Sequence, residues 1–177
     1  MWNRSQILET ARLRLRPMAA ADVDDLHRLF TQPGVRRYLW DDEVIPRERT
    51  ASVVERSTAL LATHGFGLWA VSFKDSPAIV GFCGFWHFHE PPRLELLYGI
   101  APDHWNNGLA TEAAIAMIRH GFDVLGFARI EASTDAANTA SVRVMERAGL
   151  RFWKREMTNG LDTIYSWIDR NAMANSS

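Results

Sequence analysis

The sequence lacks the features that mark secreted, membrane-spanning or disulfide-stapled proteins. It contains one cysteine, Cys83, so no intramolecular disulfide can form, which is compatible with a reducing compartment. No apolar run approaches the ~20 residues that a membrane-spanning helix needs, and no basic stretch followed by an apolar segment marks a secretory signal. We therefore expect a cytoplasmic protein that has no membrane partner.

An excess of positive charge is also absent. The 177 residues include 20 Lys and Arg against 21 Asp and Glu, which gives a formal net charge of −1. This balance argues against a general electrostatic grip on nucleic acid, so we expect no nucleic-acid partner. With 47% apolar residues, the composition is that of one folded domain. We expect this domain to span residues 1–177, with its core at about 8–170 and a frayed end at 171–177.

Two common phosphate-binding motifs are missing, since the chain has neither a Walker Gly-Lys-Ser/Thr nor the three-glycine dinucleotide fingerprint. Residues 105–112 instead read Trp-Asn-Asn-Gly-Leu-Ala-Thr-Glu, between a strand-like and a helix-like run. A strand that breaks there and enters a helix points several backbone N–H groups at one spot, a socket for phosphate oxygens. Gly108 lets the backbone approach such a ligand, and Ala110 adds little bulk. An ordinary connecting loop has the same features, so the segment alone leaves both interpretations open.

Hydrophobic periodicity predicts a mixed α/β domain with a largely antiparallel sheet. We predict strands at residues 10–18, 68–74, 78–88, 93–100, 129–134, 152–157 and 163–168, and helices at 21–30, 46–61, 111–125 and 140–148. The last two strands form a hairpin around Asn159-Gly160, through a loop longer than two residues. Residues Arg36, Arg37, Asp41 and Asp42 are predicted to lie in a solvated loop that could also select substrate charge.

Two segments together resemble a known family. Gly-Leu-Ala-Thr-Glu-Ala begins at Gly108, and Asn-x-x-Ser-x-Arg-Val-x-Glu begins at Asn138. With the strands before and between them, they resemble the GNAT superfamily of N-acetyltransferases, and most closely the RimJ/RimL branch that acetylates ribosomal-protein N-termini. The resemblance is densest over residues 94–152 and looser over 11–88. It implies a central sheet whose middle strands splay apart between flanking helices, with acetyl-CoA in the gap. It also implies direct attack by a primary amine, from a small molecule or a protein N-terminus.

Glu95 and Ser141 are the candidate catalytic residues. Glu95 lies in a strand between Leu94 and Leu96, and we expect it to act as the general base, directly or through a water. Alternatively, it is a solvated edge carboxylate or the partner of Arg93. Members of the RimJ/RimL branch usually place a serine near the coenzyme sulfur, and the resemblance implies that role for Ser141. The alternative for Ser141 is a hydroxyl that caps its helix.

The resemblance also implies which residues bind the cofactor. The backbone of Tyr98, Gly99 and Ile100 would polarise the acetyl carbonyl, with a strand irregularity at Gly99. Asn138, which could equally cap a helix, would join Ser141 in holding the pantetheine arm. The pyrophosphate would lie on Asn106, Asn107, Gly108, Leu109, Ala110 and Thr111. The chain departs from the family pattern in having Trp105 for Gln or Arg, and Asn106-Asn107 for Gly-Lys, which removes a positive charge.

Other candidates concern the acceptor. We expect Trp40, Trp86 and His87 to line the acceptor side. His87 and His89, with Glu90 close by, could share a metal, but no third ligand is evident, so no metal is expected. His87 or His89 could instead line the acceptor cleft. Cys83 could carry an acetyl group but is more typical of a small core residue. A non-catalytic acyl-CoA sensor and a phosphate-ester enzyme are the rival interpretations, and we expect a monomer or a homodimer.

Overall fold

An eight-stranded sheet forms the centre of the part of the chain that the structure, a computed structural model, describes, namely residues 7–174. Its strands are β1 (Leu8–Glu9), β2 (Leu13–Pro17), β3 (Leu68–Phe73), β4 (Ile79–Phe88), β5 (Arg93–Ile100), β6 (Arg129–Asp135), β7 (Arg151–Thr158) and β8 (Leu161–Asp169). Their order across the sheet is β1-β2-β3-β4-β5-β6-β8-β7.

The sheet is antiparallel except at its middle. There β5 and β6 run parallel, and within residues 7–174 they pair at one position, Glu95 opposite Glu131. Every other neighbouring pair is antiparallel and pairs over two or more positions. Beyond Glu95 the two strands therefore diverge towards their carboxyl ends. This confirms the predicted mixed, mostly antiparallel sheet with splayed middle strands.

Helices cover both faces of the sheet. They are α1 (Val23–Phe30), α2 (Pro33–Leu39), α3 (Arg47–His64), α4 (Leu109–Asp123), α5 (Thr139–Arg147) and α6 (Arg170–Ala174). The apolar side of α4, including Met117 and Phe122, packs in one core with Leu15, Val71 and Phe85 of the strands. On the other face, α1, α2 and α3 form a second core with Phe82 and neighbouring strand residues. No helix within the described range combines the length and apolarity needed to cross a bilayer.

Three local features differ from the predictions. Helix α2 replaces a predicted loop. Pro33 suits its first turn, and because Val35 is its one buried side chain, the helix leaves little periodic signal in the sequence. The β7–β8 loop has two residues rather than more, and both Asn159 (φ 51°) and Gly160 (φ 81°) are left-handed, as a type I′ turn requires. At the end, Arg170–Ala174 is helical where fraying was predicted, because Asp169 Oδ1 accepts from the N–H of Ala172 at 2.8 Å. Residues 175–177 of that predicted end lie outside the described residues.

Candidate active site

The gap between β5 and β6 exposes main-chain groups of β5. The N–H of Ala101 donates to Val80 O at 2.8 Å, which places this residue pair in the hydrogen-bonded register of the β4–β5 ladder. Hydrogen bonding alternates along an antiparallel strand, so Gly99 also faces β4, whereas Tyr98 and Ile100 turn their N–H groups towards β6. Since β6 has diverged by that point, these two N–H groups border the gap.

The predicted irregularity at Gly99 is wrong. The β4–β5 register runs without a shift from Phe88 opposite Arg93 to Gly81 opposite Ile100. The glycine is needed for packing instead, because a Cβ at Gly99 would lie 2.6 Å from Cε1 of Phe82. The prediction mistook a contact between neighbouring strands for a bulge.

The start of α4 lies at the open end of this gap, after a connection of residues 101–108 that follows β5. Gly108 is its N-cap, with φ of 74° and no side chain to accept a hydrogen bond. The first bond of the helix runs from Glu112 N to Gly108 O at 3.0 Å. The N–H groups of Leu109, Ala110 and Thr111 therefore meet no acceptor among the described residues, at the positive end of the helix dipole. Three such donors fit phosphate oxygens, as the sequence predicts.

Trp105 anchors the loop that precedes α4. Its indole Nε1 donates to Ile100 O at 2.6 Å. Its ring packs on Gly34 of α2, where an added Cβ would lie 2.6 Å from Trp105 Cη2. The tryptophan thus ties the loop to β5 and α2, which accounts for its presence where the family pattern has Gln or Arg.

Arg12 brings a positive charge to the same loop. Its guanidinium donates to Asn107 O at 2.9 Å and forms an ion pair with Glu112 at 2.6 Å. Burial alone would raise the pKa of Glu112, but hydrogen bonds from Thr10 and Arg12 and the charge of Arg12 outweigh burial and lower that pKa. The sequence has no signal for this contact, because Arg12 and Glu112 are far apart along the chain.

Glu95 lies at the apex of the splay and is sealed from solvent, with 2% of its side chain exposed. Its Oε1 lies 3.0 Å from His89 Nε2, and its Oε2 accepts from the Ser133 hydroxyl at 2.5 Å. Arg93 pairs with Glu131 instead. Both alternatives for Glu95, an exposed edge carboxylate and a partner of Arg93, are therefore wrong.

Sequence reasoning offered His89 only as a possible lining residue of the acceptor cleft and did not connect it with Glu95. His89 follows β4, with a left-handed φ of 66°, and its ring lies 5.6 Å from the Tyr165 ring, centre to centre. Nothing in its spacing from Glu95 indicates the contact, because the intervening turn decides where the imidazole goes. Ser133 was missed because only the pairing of β6 with β5 brings it to Glu95.

Tyr98 and Ser141 face each other across the gap. The Tyr98 hydroxyl lies 2.9 Å from Ser141 Oγ and donates to Ser141 O at 3.0 Å. Burial raises the pKa of Tyr98 above its usual value, so this hydroxyl stays protonated. The predicted capping role belongs to Asn138, whose Oδ1 accepts from Ser141 N at 3.2 Å. The Ser141 hydroxyl is thus engaged by a second hydroxyl rather than by the helix end.

The predicted acceptor residues do not all share one face. Trp86 lies opposite Glu95 in the β4–β5 pairing, so their side chains project from the same face. Trp40 packs on that face against Phe30, with ring centres 6.0 Å apart, and its buried Nε1 meets no acceptor in the described part of the chain. His87 points to the opposite face and packs on Phe66 at 5.4 Å. The prediction for His87 is wrong, because successive strand residues alternate in direction.

The carboxyl end of β6 adds negative charge near the gap. Burial raises the pKa of Asp135, and the neighbouring charge of Asp41 raises it further. The Tyr38 hydroxyl of α2 donates to Ala137 O at 3.4 Å, which brings the α2 region up to this strand end. Two carboxyl groups, those of Asp135 and Asp41, therefore lie close together at the open end of the gap.

The other candidates are Cys83 as a nucleophile and a metal site. Cys83 is fully buried in the core beside α4, and burial raises the pKa of its thiol, so it is a core residue rather than a nucleophile. No group of three or more His, Cys, Asp or Glu side chains within the described residues is arranged to hold a metal ion.

The comparisons with known proteins agree on a family. The sequence matches the model of the acetyltransferase (GNAT) domain over residues 12–151. YoaA of Bacillus subtilis (strain 168), an uncharacterized N-acetyltransferase, is 31% identical over 146 residues, which cover 82% of each chain. An acetyltransferase structure from Agrobacterium tumefaciens str. C58 matches with a TM-score of 0.81 at 22% identity, covering 96% of this chain and 98% of that one. RimL, a ribosomal L7/L12 alpha-N-protein acetyltransferase in complex with coenzyme A, matches with a TM-score of 0.79 at 18% identity, covering 94% and 99%.

These matches define what the chain is. It belongs to the GNAT family of acetyltransferases, and it is an enzyme of the N-acetyltransferase type. The two solved structures share less than a quarter of their residues with it, so they show the fold alone. That fold is the splayed α/β sheet described above.

Proposed function

We propose that this enzyme transfers the acetyl group of acetyl-CoA to a primary amine, by direct attack and in the manner of the RimJ/RimL branch. The observation that carries the proposal is the splay between β5 and β6, which has a sealed carboxylate, Glu95, at its apex. The first N–H groups of α4, which meet no acceptor within residues 7–174, lie at its open end. RimL, whose fold is shared, acts on a protein N-terminus and was solved with coenzyme A. The cytoplasmic location and the monomeric or dimeric state stay predictions.

The chain offers a group for each part of coenzyme binding. The coenzyme supplies an activated acetyl thioester. The N–H groups of Leu109, Ala110 and Thr111, with the loop Asn106-Asn107-Gly108, hold the diphosphate, and the Arg12 guanidinium holds this loop by its hydrogen bond to Asn107 O. Asn138 uses its Oδ1 for the helix cap, which leaves its amide NH₂ for the pantetheine arm. Gly99 contributes by lacking a side chain rather than by offering a donor.

The chemical steps need few residues, since bringing amine and thioester together supplies much of the rate. The N–H groups of Tyr98 and Ile100 stabilise the negative charge that develops on the acetyl oxygen. Glu95 takes the proton from the amine on the face that also carries Trp86 and Trp40. The Ser141 hydroxyl, oriented by Tyr98, donates a hydrogen bond to the departing sulfur.

Thiol release with a panel of amines tests the proposal, using a polyamine, an amino acid, an aminoglycoside and a peptide with a free N-terminus. We expect turnover of at least one of these, and binding of coenzyme A but not ATP by calorimetry. Glu95→Gln should lower kcat by about 100-fold or more, which is typical of losing a positioned base. Glu156→Gln, a change at an exposed carboxylate on β7, is the control and should leave kcat unchanged. Coenzyme binding without turnover of any amine, or full activity of Glu95→Gln across a pH series, would overturn the assignment.

A further inference from the structure

We infer that His89 is the route by which the proton collected by Glu95 leaves the enzyme. This inference rests on the proposed function, because it assumes that Glu95 is the base. His89 acts through Glu95 and not on the acceptor, so it is a positioning residue for proton transfer. Neither the family likeness nor the sequence pattern assigns it such a role.

The stoichiometry of the reaction requires an exit for one proton. An alkylammonium and a thioester become an amide and a thiol: an N–C bond forms, the C–S bond breaks, and the nitrogen gives up two protons. The departing sulfur takes up one of these two protons, and the other must reach solvent in every turnover. A base that cannot pass its proton on would stop after one cycle.

Glu95 cannot release this proton by itself. Its side chain is 2% exposed, and both of its oxygens already have protein partners. His89 Nε2, at 3.0 Å from Oε1, is one of those partners, and 19% of the His89 side chain is exposed. The imidazole therefore links the sealed carboxylate to solvent.

Ser133, the other partner of Glu95, is a poorer exit. Its hydroxyl donates to Oε2 at 2.5 Å and cannot hold an extra proton near neutral pH. An imidazole gains and loses a proton between about pH 5 and 8, and it has a nitrogen on each side of the ring. Nδ1 of His89 forms no hydrogen bond with any described residue, so it is available to water.

The surroundings of His89 hold the ring in this position. The residue adopts φ of 66°, in the left-handed region. Its ring lies against Phe88 and Tyr165, with centres 6.3 and 5.6 Å away. The titratable groups around it are Glu95, the adjacent Glu90 and Tyr165. Beyond Tyr165, the charges of Arg93 and Lys154 lie 5.6 and 4.6 Å from that ring, and Arg93 is paired with Glu131.

The first test compares two histidines on opposite faces of the sheet. His89→Gln keeps a side-chain donor for Glu95 but cannot carry a proton. We expect its kcat to fall about 10- to 100-fold, which is at or below the lower end of the range for positioned proton transfer. The KM for acetyl-CoA should be unchanged. His87 lies on the opposite face and packs on Phe66, so His87→Gln should behave like the wild type. Wild-type kcat and an unchanged pH profile in His89→Gln would overturn the inference.

Chemical rescue separates a proton route from a structural contact. Added imidazole should restore part of the kcat of His89→Ala and should leave Glu95→Gln inactive. If Glu95→Gln is inactive and His89→Gln is fully active, the inference fails and the proposed function stands. If both variants are fully active while coenzyme A still binds, the assignment of Glu95 as the base fails.

An NMR measurement on the wild type and Glu95→Gln covers the case in which the His89 variants do not fold. Because Nε2 of His89 lies 3.0 Å from Oε1 of Glu95, the ring nitrogen shifts of His89, recorded with coenzyme A bound, should differ between the wild type and Glu95→Gln. Identical ring nitrogen shifts in the two proteins would overturn the inference.

Discussion

The Tyr98 hydroxyl lies 2.9 Å from the Oγ of Ser141, and the pair joins β5 to α5 across the widening gap. Because Tyr98 also donates to Ser141 O at 3.0 Å, its single proton has two acceptors on the same residue. When that proton goes to Ser141 O, the Ser141 hydroxyl is free to donate its own proton elsewhere. The tyrosine thus sets the direction of the serine without needing to touch the sulfur itself.

Ser141→Ala should therefore lower kcat more than Tyr98→Phe does. A hydrogen bond to a charged group is worth about 1.5–3 kcal/mol, so losing one to the developing thiolate predicts a loss of about 10- to 100-fold for Ser141→Ala. Tyr98→Phe removes only the group that orients the serine and should cost less than about 10-fold. Steady-state thiol release measures both. The reverse order would assign the sulfur contact to Tyr98.

The sequence predicts the frame of the fold well, for physical reasons. Strand β5, whose bounds were predicted at both ends, and the hairpin of β3 and β4 are bounded by glycine, proline and polar residues, which interrupt the apolar pattern. Helix α2 was missed because one buried side chain, Val35, leaves no period to detect. The short turn at Asn159-Gly160 was missed because β7 is almost wholly exposed and so has no apolar alternation to mark its end.

The candidate site was predicted only where local chemistry decides it. The free donors at the start of α4 follow from Gly108 and the helix that comes after it, and the cap by Asn138 follows from its spacing. The partners of Glu95 do not, because His89 reaches it through a turn and Ser133 through the pairing of β6. The prediction for His87 was wrong because His87 follows Trp86 in β4, and neighbouring residues in a strand face opposite sides.

Gly108→Ala and Gly126→Ala form a matched pair for testing the loop. Both glycines have left-handed backbones, with φ of 74° and 73°, and neither Cβ would meet an atom closer than 3.8 Å. Each variant should lose about 1–2 kcal/mol of unfolding free energy from backbone strain. Only Gly108→Ala should also weaken coenzyme A binding, by about 10-fold, because its methyl group and the altered cap disturb the N–H donors. Calorimetry and urea unfolding measure the two effects, and equal coenzyme affinities would count against the phosphate site.

Glu112→Gln should destabilise the fold in a pH-dependent way. Thr10, the Arg12 N–H and the Arg12 guanidinium all donate to the Glu112 carboxylate, at 2.5–2.9 Å. The pKa of Glu112 is lowered in the folded state, so its contribution is present above the unfolded value and is lost as the pH falls through the folded value. We expect a loss of about 2 kcal/mol at pH 7 that shrinks towards pH 3. Glu156→Gln, in an exposed pair, should cost under about 1 kcal/mol. A pH-independent loss for Glu112→Gln would contradict this account.

His120→Phe should remove a source of acid sensitivity. His120 lies on α4 with 6% of its surface exposed, and its Nδ1 finds no hydrogen-bond partner in the described structure. Burial lowers the pKa of His120, because it penalises the charged ring. The unfolded chain therefore takes up a proton first, and stability falls as the pH drops below about 6.5, by at most about 1.4 kcal/mol per pH unit. Phenylalanine keeps the edge contact with Trp69, whose ring centre lies 5.5 Å away, and cannot be protonated. Urea unfolding from pH 7.5 to 5 should show the variant gaining stability relative to the wild type as the pH falls. Parallel curves would mean that His120 accepts its proton without cost in the folded state.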